Sequence, residues 1–166
     1  MTESYFPPAP AAGLRDFRVL GPAMPVRLEI PAIGVSTVVV PMGLCADGTL
    51  DVPPPLGDAP AVWYRNSPTP GELGSSLIAG HATVADDAPA VFFRLRLLRP
   101  ADRIAVRRAD RSTARFAVAG VGIYPTAALP ADHAYGPPTQ PTLTLLTIGD
   151  GQDRSLVVSA SLLPED

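Results

Sequence analysis

Few residues of this chain can do chemistry, and most of them fall in two short stretches. His81 ends the run Leu77-Ile78-Ala79-Gly80, and Arg154 ends the segment from Leu143, after Gly149-Asp150-Gly151-Gln152-Asp153. An imidazole can carry a proton to or from a reacting group near neutral pH, so His81 is a candidate general acid or base and, equally, an ordinary loop histidine. Arg154 could simply pair with Asp150 or Asp153, a surface contact worth roughly 0 to 1 kcal/mol. His133, in Pro130-Ala131-Asp132-His133-Ala134-Tyr135-Gly136-Pro137, reads as a solvated loop residue. The one thiol, Cys45, sits in the turn Gly43-Leu44-Cys45-Ala46-Asp47-Gly48 and reads as a half-buried core cysteine. A single cysteine excludes an internal disulfide and any CxxC metal or redox site. Asp86 and Asp87 have no third ligand nearby, so no metal site is expected, and nothing in the sequence implies a cofactor. All 13 basic residues are arginine, which removes Schiff-base chemistry.

These residues need a scaffold, and the sequence describes one. A chain of 166 residues fits one domain that buries about 70% of its unfolded surface. With 46% hydrophobic and 17% charged residues it is expected to have a core, and a net charge of −3 gives no footprint for nucleic acid. No stretch approaches a membrane-spanning helix, and Met1 to Gly21 lacks the charged-then-apolar order of a signal peptide, so the chain as written reads as soluble. Twenty-one prolines cut it into short runs. Residues 1–25 read as a flexible Pro/Ala-rich arm and 26–166 as the folded domain.

Within that domain seven β-branched-rich segments read as strands: Val26 to Ile30, Val35 to Val40, Ser75 to Ala79, Arg103 to Arg108, Ala114 to Tyr124, Thr142 to Ile148 and Ser155 to Ser161. Asp110-Arg111-Ser112 joins two of them as a hairpin. One helix is expected over Ala88 to Leu98, where Val91, Phe92, Leu95 and Leu98 form an apolar face ahead of Pro100. The arginines from Arg94 to Arg115 read as a solvated face. The fold class is mainly β, a closed barrel of about seven to eight strands with one or two short helices.

Taken together, the blocks LEIPAIGV, GTLDVPP, GSSLIAGHAT, AVFFRLRLLRPADRIAVRRADRSTARFAV and TLLTIGDGQDR resemble the sortases, most closely the actinobacterial class F group, over roughly Val26 to Ser161. The resemblance implies an eight-stranded sortase barrel outside the cytoplasm at the cell surface. It also implies a reaction, in which a cysteine thiolate attacks the Thr–Gly bond of an LPxTG-type sorting signal, forms a thioester, and passes the acyl group to an amine on the cell wall or a pilin. His81 matches the family's catalytic histidine and Arg154 its catalytic arginine. Acyl transfer needs a nucleophile, a proton donor for the leaving amine and positive charge at the oxyanion, the roles of cysteine, histidine and arginine in turn.

The nucleophile is where the sequence departs from the pattern. The family motif TLxTC stands here as Thr144-Leu145-Leu146-Thr147-Ile148, and isoleucine has no lone pair with which to attack. Thr147 lies on the opposite strand face from residue 148 and is no substitute. With His133 it is expected to border a bound peptide. Ser155, directly after Arg154, would face the cleft only if its strand twists, and is read as structural. Three readings follow: a sortase-fold protein silenced at Ile148 whose partner is a sorting-signal peptide or surface protein, a working sortase with a compensated or introduced replacement at 148, and a binding barrel whose Arg-rich 94–115 segment docks an acidic surface.

Overall fold

The protein is described by a computed structural model covering residues 19–43, 45–46, 59–83, 88–125, 140–148 and 154–164, with all their side chains but those of Pro125 and Arg154. Eight strands among these residues close into a barrel: β1 (Pro25–Ile30), β2 (Val35–Met42), β3 (Ala61–Tyr64), β4 (Gly74–His81), β5 (Arg103–Arg108), β6 (Thr113–Pro125), β7 (Pro141–Ile148) and β8 (Arg154–Leu162). Their order around the barrel is β1-β2-β3-β4-β7-β8-β6-β5, and β1 pairs with β5 to close it. This is the mainly β barrel that the sequence implies. The strand it does not reveal is β3, four residues that are buried too evenly to show the alternation by which a half-exposed strand is recognised.

Alternation does specify strands such as β5 and β7. In β5 Ile104 and Val106 turn inward while Arg103 and Arg107 stay in water, and in β7 Leu143 and Leu145 join the core. Leu28, Ile30, Ile78, Phe116 and Val158 complete its centre from the neighbouring strands. Each such side chain contributes about 1.5–3 kcal/mol through burial.

The helix expected over Ala88 to Leu98 shortens to one 3-10 turn, Phe93–Leu97. The apolar residues are buried as expected, with Phe92, Leu95 and Leu98 in the core, but the backbone ahead of them is committed elsewhere. Ala90 N–H donates to the Ala82 carbonyl and Phe92 N–H to the His81 carbonyl, both at 2.9 Å. Donors bonded to the end of a strand cannot also propagate a helix.

Residues 19–24, ahead of β1, run along the barrel. Leu20 N–H donates to the Gly71 carbonyl and Ala23 N–H to Thr69 Oγ1, while the Gly21 carbonyl accepts from Arg108 Nη2. Arg108 departs from the solvated arginine face expected for 94–115. It is only 3% exposed, and its Nη1 donates to Ser112 Oγ at 3.2 Å. A guanidinium is buried here because a backbone carbonyl and a hydroxyl replace its water.

The hairpin expected at Asp110-Arg111-Ser112 joins β5 to β6. Asp110 Oδ1 accepts from both the backbone N–H and the hydroxyl of Ser112, and these bonds hold its carboxyl below the usual aspartate range. A lowered carboxylate pKa gives stability above the ordinary aspartate value near 3.9 that is lost as pH falls through the folded value. The stability difference between the protein and Asp110→Ala, read from urea melts, should therefore shrink as pH drops below about 4. Ala101 holds φ at 77°, a left-handed conformation that favours glycine. Ala101→Gly is expected to stabilise by up to about 1 kcal/mol in the same assay, with the relieved strain partly offset by glycine's greater chain entropy.

Candidate functional site

Strands β4 and β7 lie side by side and parallel, in register from Gly74 against Pro141 to His81 against Ile148. Both strands end at the same end of the barrel, so the imidazole of His81 and the side chain of Ile148 are lateral neighbours. Side chains alternate along each strand, and Ile78, Leu143 and Leu145 enter the core. The other face of the pair therefore carries Leu77, Ala79 and His81 beside Thr144, Leu146 and Ile148. A buried hydrogen bond of 2.8 Å between Ser75 Oγ and Thr144 Oγ1 ties the two strands together on that face.

The next strands extend the row. In β8 the core takes Val158, Ala160 and Leu162, so Ser155 falls on the other face. Continuing the β7–β8 register beyond Leu146 against Val157 sets Ile148 against Ser155, and Tyr124 of β6 pairs with Ser155 in turn. Four adjacent strands thus bring His81, Ile148, Ser155 and Tyr124 to one end of one sheet face. Ser155 reaches this face by regular alternation, without the twist that the sequence reading required. Tyr124 carries no sequence signal of its own, and counting alternation backward from the apolar positions of β8 would have found Ser155. The ring of Tyr124 lies over Gly122, where a Cβ would come within 2.9 Å of its hydroxyl. Burial raises the phenol's pKa.

His81 is 3% exposed and is held through its backbone as well as its strand, since its carbonyl accepts the Phe92 N–H. The chain beyond it packs so tightly that a Cβ on Gly80 would meet Phe92 Cδ2 at 2.8 Å and Val91 Cγ1 at 2.9 Å. Thr147 sits on the core side, away from Ile148, and its Oγ1 accepts the Leu156 N–H at 2.9 Å. Arg154 begins β8 opposite Pro125 of β6, and its side chain lies outside the description. His133, Asp86 and Asp87 lie outside the described residues.

Cys45 corrects the sequence reading, being exposed where a half-buried core cysteine is expected. It follows β2, which is parallel to β3 and so antiparallel to β4. The chain leaves β2 toward the end where β4 begins, whereas His81 stands where β4 stops. The thiol and the imidazole are thereby held apart by the length of the sheet.

Residues 28–163 match the family described as Sortase domain. The chain belongs to the sortase family. Its barrel is similar to sortase A from Corynebacterium diphtheriae, with a TM-score of 0.65 at 17% identity over 90% of this chain and 64% of the other. It is similar as well to sortase C-1 from Actinomyces oris, with a TM-score of 0.65 at 21% identity over 88% and 77% of the two chains. A Sortase D5 transpeptidase from Clostridium perfringens gives a TM-score of 0.62 at 22% identity over 83% and 78%. This sortase chain spans less than two thirds of the Corynebacterium protein's length. No curated protein matches it.

Two substitutions test what holds the sortase strand ends. Gly80→Ala forces Phe92 or Val91 to move and should destabilise by about 1–3 kcal/mol in denaturant melts. Thr147→Val leaves the Leu156 N–H without its acceptor and should destabilise by a similar amount, about 1–3 kcal/mol, while Thr147→Ser should recover most of the loss.

Proposed function

We propose that this chain is a sortase-fold protein, most like the class F group, that has lost cysteine-dependent transpeptidation at Ile148 and keeps the face around His81 as a site for a sorting-signal peptide at the cell surface. The observation that carries the reading is the pairing of His81 with Ile148. The residue beside the imidazole, at the end of the adjacent strand, is an aliphatic one. In the family's reaction a thiolate sulfur bonds to the carbonyl carbon of the Thr–Gly peptide, the C–N bond breaks, and the departing amine takes a proton from the histidine. Isoleucine supplies neither the electron pair nor the leaving group that a thioester needs. The remote placement of Cys45 supports the same conclusion, because a nucleophile must lie within hydrogen-bond reach of its acid or base.

On this reading His81 keeps the position of the proton donor, and Arg154 that of the group that would face oxyanion charge. Thr147 acts by fixing the end of β7 to β8. His133 is assigned to the border of the peptide site on the family resemblance alone. A half-buried isoleucine also adds apolar burial that a cysteine would not, so silencing and stabilisation go together.

The test is a mass-spectrometric cleavage assay with a panel of LPxTG-type peptides. The protein with Ile148 is expected to leave every peptide intact, and Ile148→Cys to cleave at least one of them. Adding His81→Ala to that variant should slow cleavage by about 100- to 10,000-fold. Ile148→Cys should also lower stability by about 1 kcal/mol. Cleavage by the unaltered protein would overturn the proposal, and its loss in Cys45→Ala would then identify the nucleophile.

A further inference from the structure

A concavity lies where β2 and β3 diverge, beside the segment that follows β4. Pairing between these strands begins only at Val39 against Ala61. Val35 to Val38 pair with β1 on one side and have no strand partner on the other among the described residues. Beside that edge a groove of about 580 Å³ opens between β2 and the segment from Pro89 to Arg94, a volume in the usual range of ligand sites, about 300–1,000 Å³. Val38 is half exposed along the edge. Val91 and Phe93 form the opposite wall, with Pro60 and Pro89 at its margin.

Among the described residues, Arg27 and Arg94 line the groove and no carboxylate does, although the chain as a whole carries a net charge of −3. Glu29 stands 3.8 Å from Arg27 Nε and 3.3 Å from Arg107 Nη2, so one carboxylate is shared between two guanidiniums. Arg94 is exposed, with its Nη1 reaching over Gly34.

We propose that this groove docks an extended acidic peptide segment of another protein, which adds a strand to the edge of β2 that has no partner among the described residues and sets its carboxylates against Arg94 and Arg27. An unpaired strand edge supplies backbone donors and acceptors in a row. Alternate side chains of an added strand then fall on the two sides of the edge, toward the valine and proline wall or toward the arginines. Opposite charge across such a contact sets partner choice and orientation. The groove adjoins the end of β4 through the segment from Pro89 to Phe93, whose Ala90 and Phe92 N–H groups bond the Ala82 and His81 carbonyls, but the proposal rests on the edge of β2 and not on turnover at His81.

The probe is a fluorescein-labelled peptide alternating valine with aspartate, titrated with the full chain and read by fluorescence anisotropy. Saturable binding is expected, weakening as salt is raised. Arg94→Glu and, separately, Arg27→Gln should each weaken it about tenfold, with an unchanged circular dichroism spectrum showing that each variant is folded. A lysine-for-aspartate peptide should not bind. Methylating alternate backbone nitrogens of the acidic peptide, which keeps its charge and removes its strand donors, should abolish binding. Equal binding to the arginine variants, equal binding of the methylated peptide, or no saturable binding would each overturn the proposal.

Discussion

The parallel register between β4 and β7 is the constraint on which the rest of the molecule depends. A hairpin cannot join parallel neighbours, so the chain between His81 and Pro141 must travel around the barrel before it returns. That excursion contains the 3-10 turn, β5 and β6, and it closes the barrel through β1 and β8. Every residue of β4 is buried, as a parallel strand requires when both its faces are covered. Slipping β7 by one residue would turn Leu145 out of the core and separate His81 from Ile148 in the same movement. Core packing and site geometry are thus one specification.

Around that pair the barrel spends its hydrogen bonds on fixing strand ends. The Phe92 N–H holds the end of β4, the Leu156 N–H reaches Thr147 near the end of β7, and the Ser75–Thr144 contact ties the two strands lower down. Strand termini fray unless something holds them, and the residues best placed for chemistry sit at those termini. None of these contacts uses the side chain of residue 148, because each is made by backbone or by other side chains. The strand end that carries His81 is therefore held independently of residue 148.

Charge is distributed by a different logic. Arg103 and Arg107 alternate outward from β5 as solvated residues, whereas Arg108 turns inward and donates to Gly21 and Ser112. Arg108 thus stitches the segment ahead of β1 to the β5–β6 hairpin. Arg94, from the same run of sequence, lies instead across a groove from the start of β2. One arginine-rich stretch serves three different surroundings, and each is set by strand pairing.

The sequence alone determined the strands that alternate, the hairpin at Asp110 to Ser112, the apolar anchors Phe92, Leu95 and Leu98, and the chemical fact that residue 148 is an isoleucine. These are local properties, carried by side-chain type and spacing within a few residues. The tertiary structure decided the rest. β3 is a strand because β2 and β4 cover it, and the expected helix at 88–98 gives way because the end of β4 claims its amide donors. Ser155 and Tyr124 join the His81 row only through pairings between strands far apart in the chain. Cys45 is separated from His81 by strand direction, which no count of residues along the sequence contains. Alternation assigns a residue to one of two faces, but only the order and sense of the strands say which faces meet.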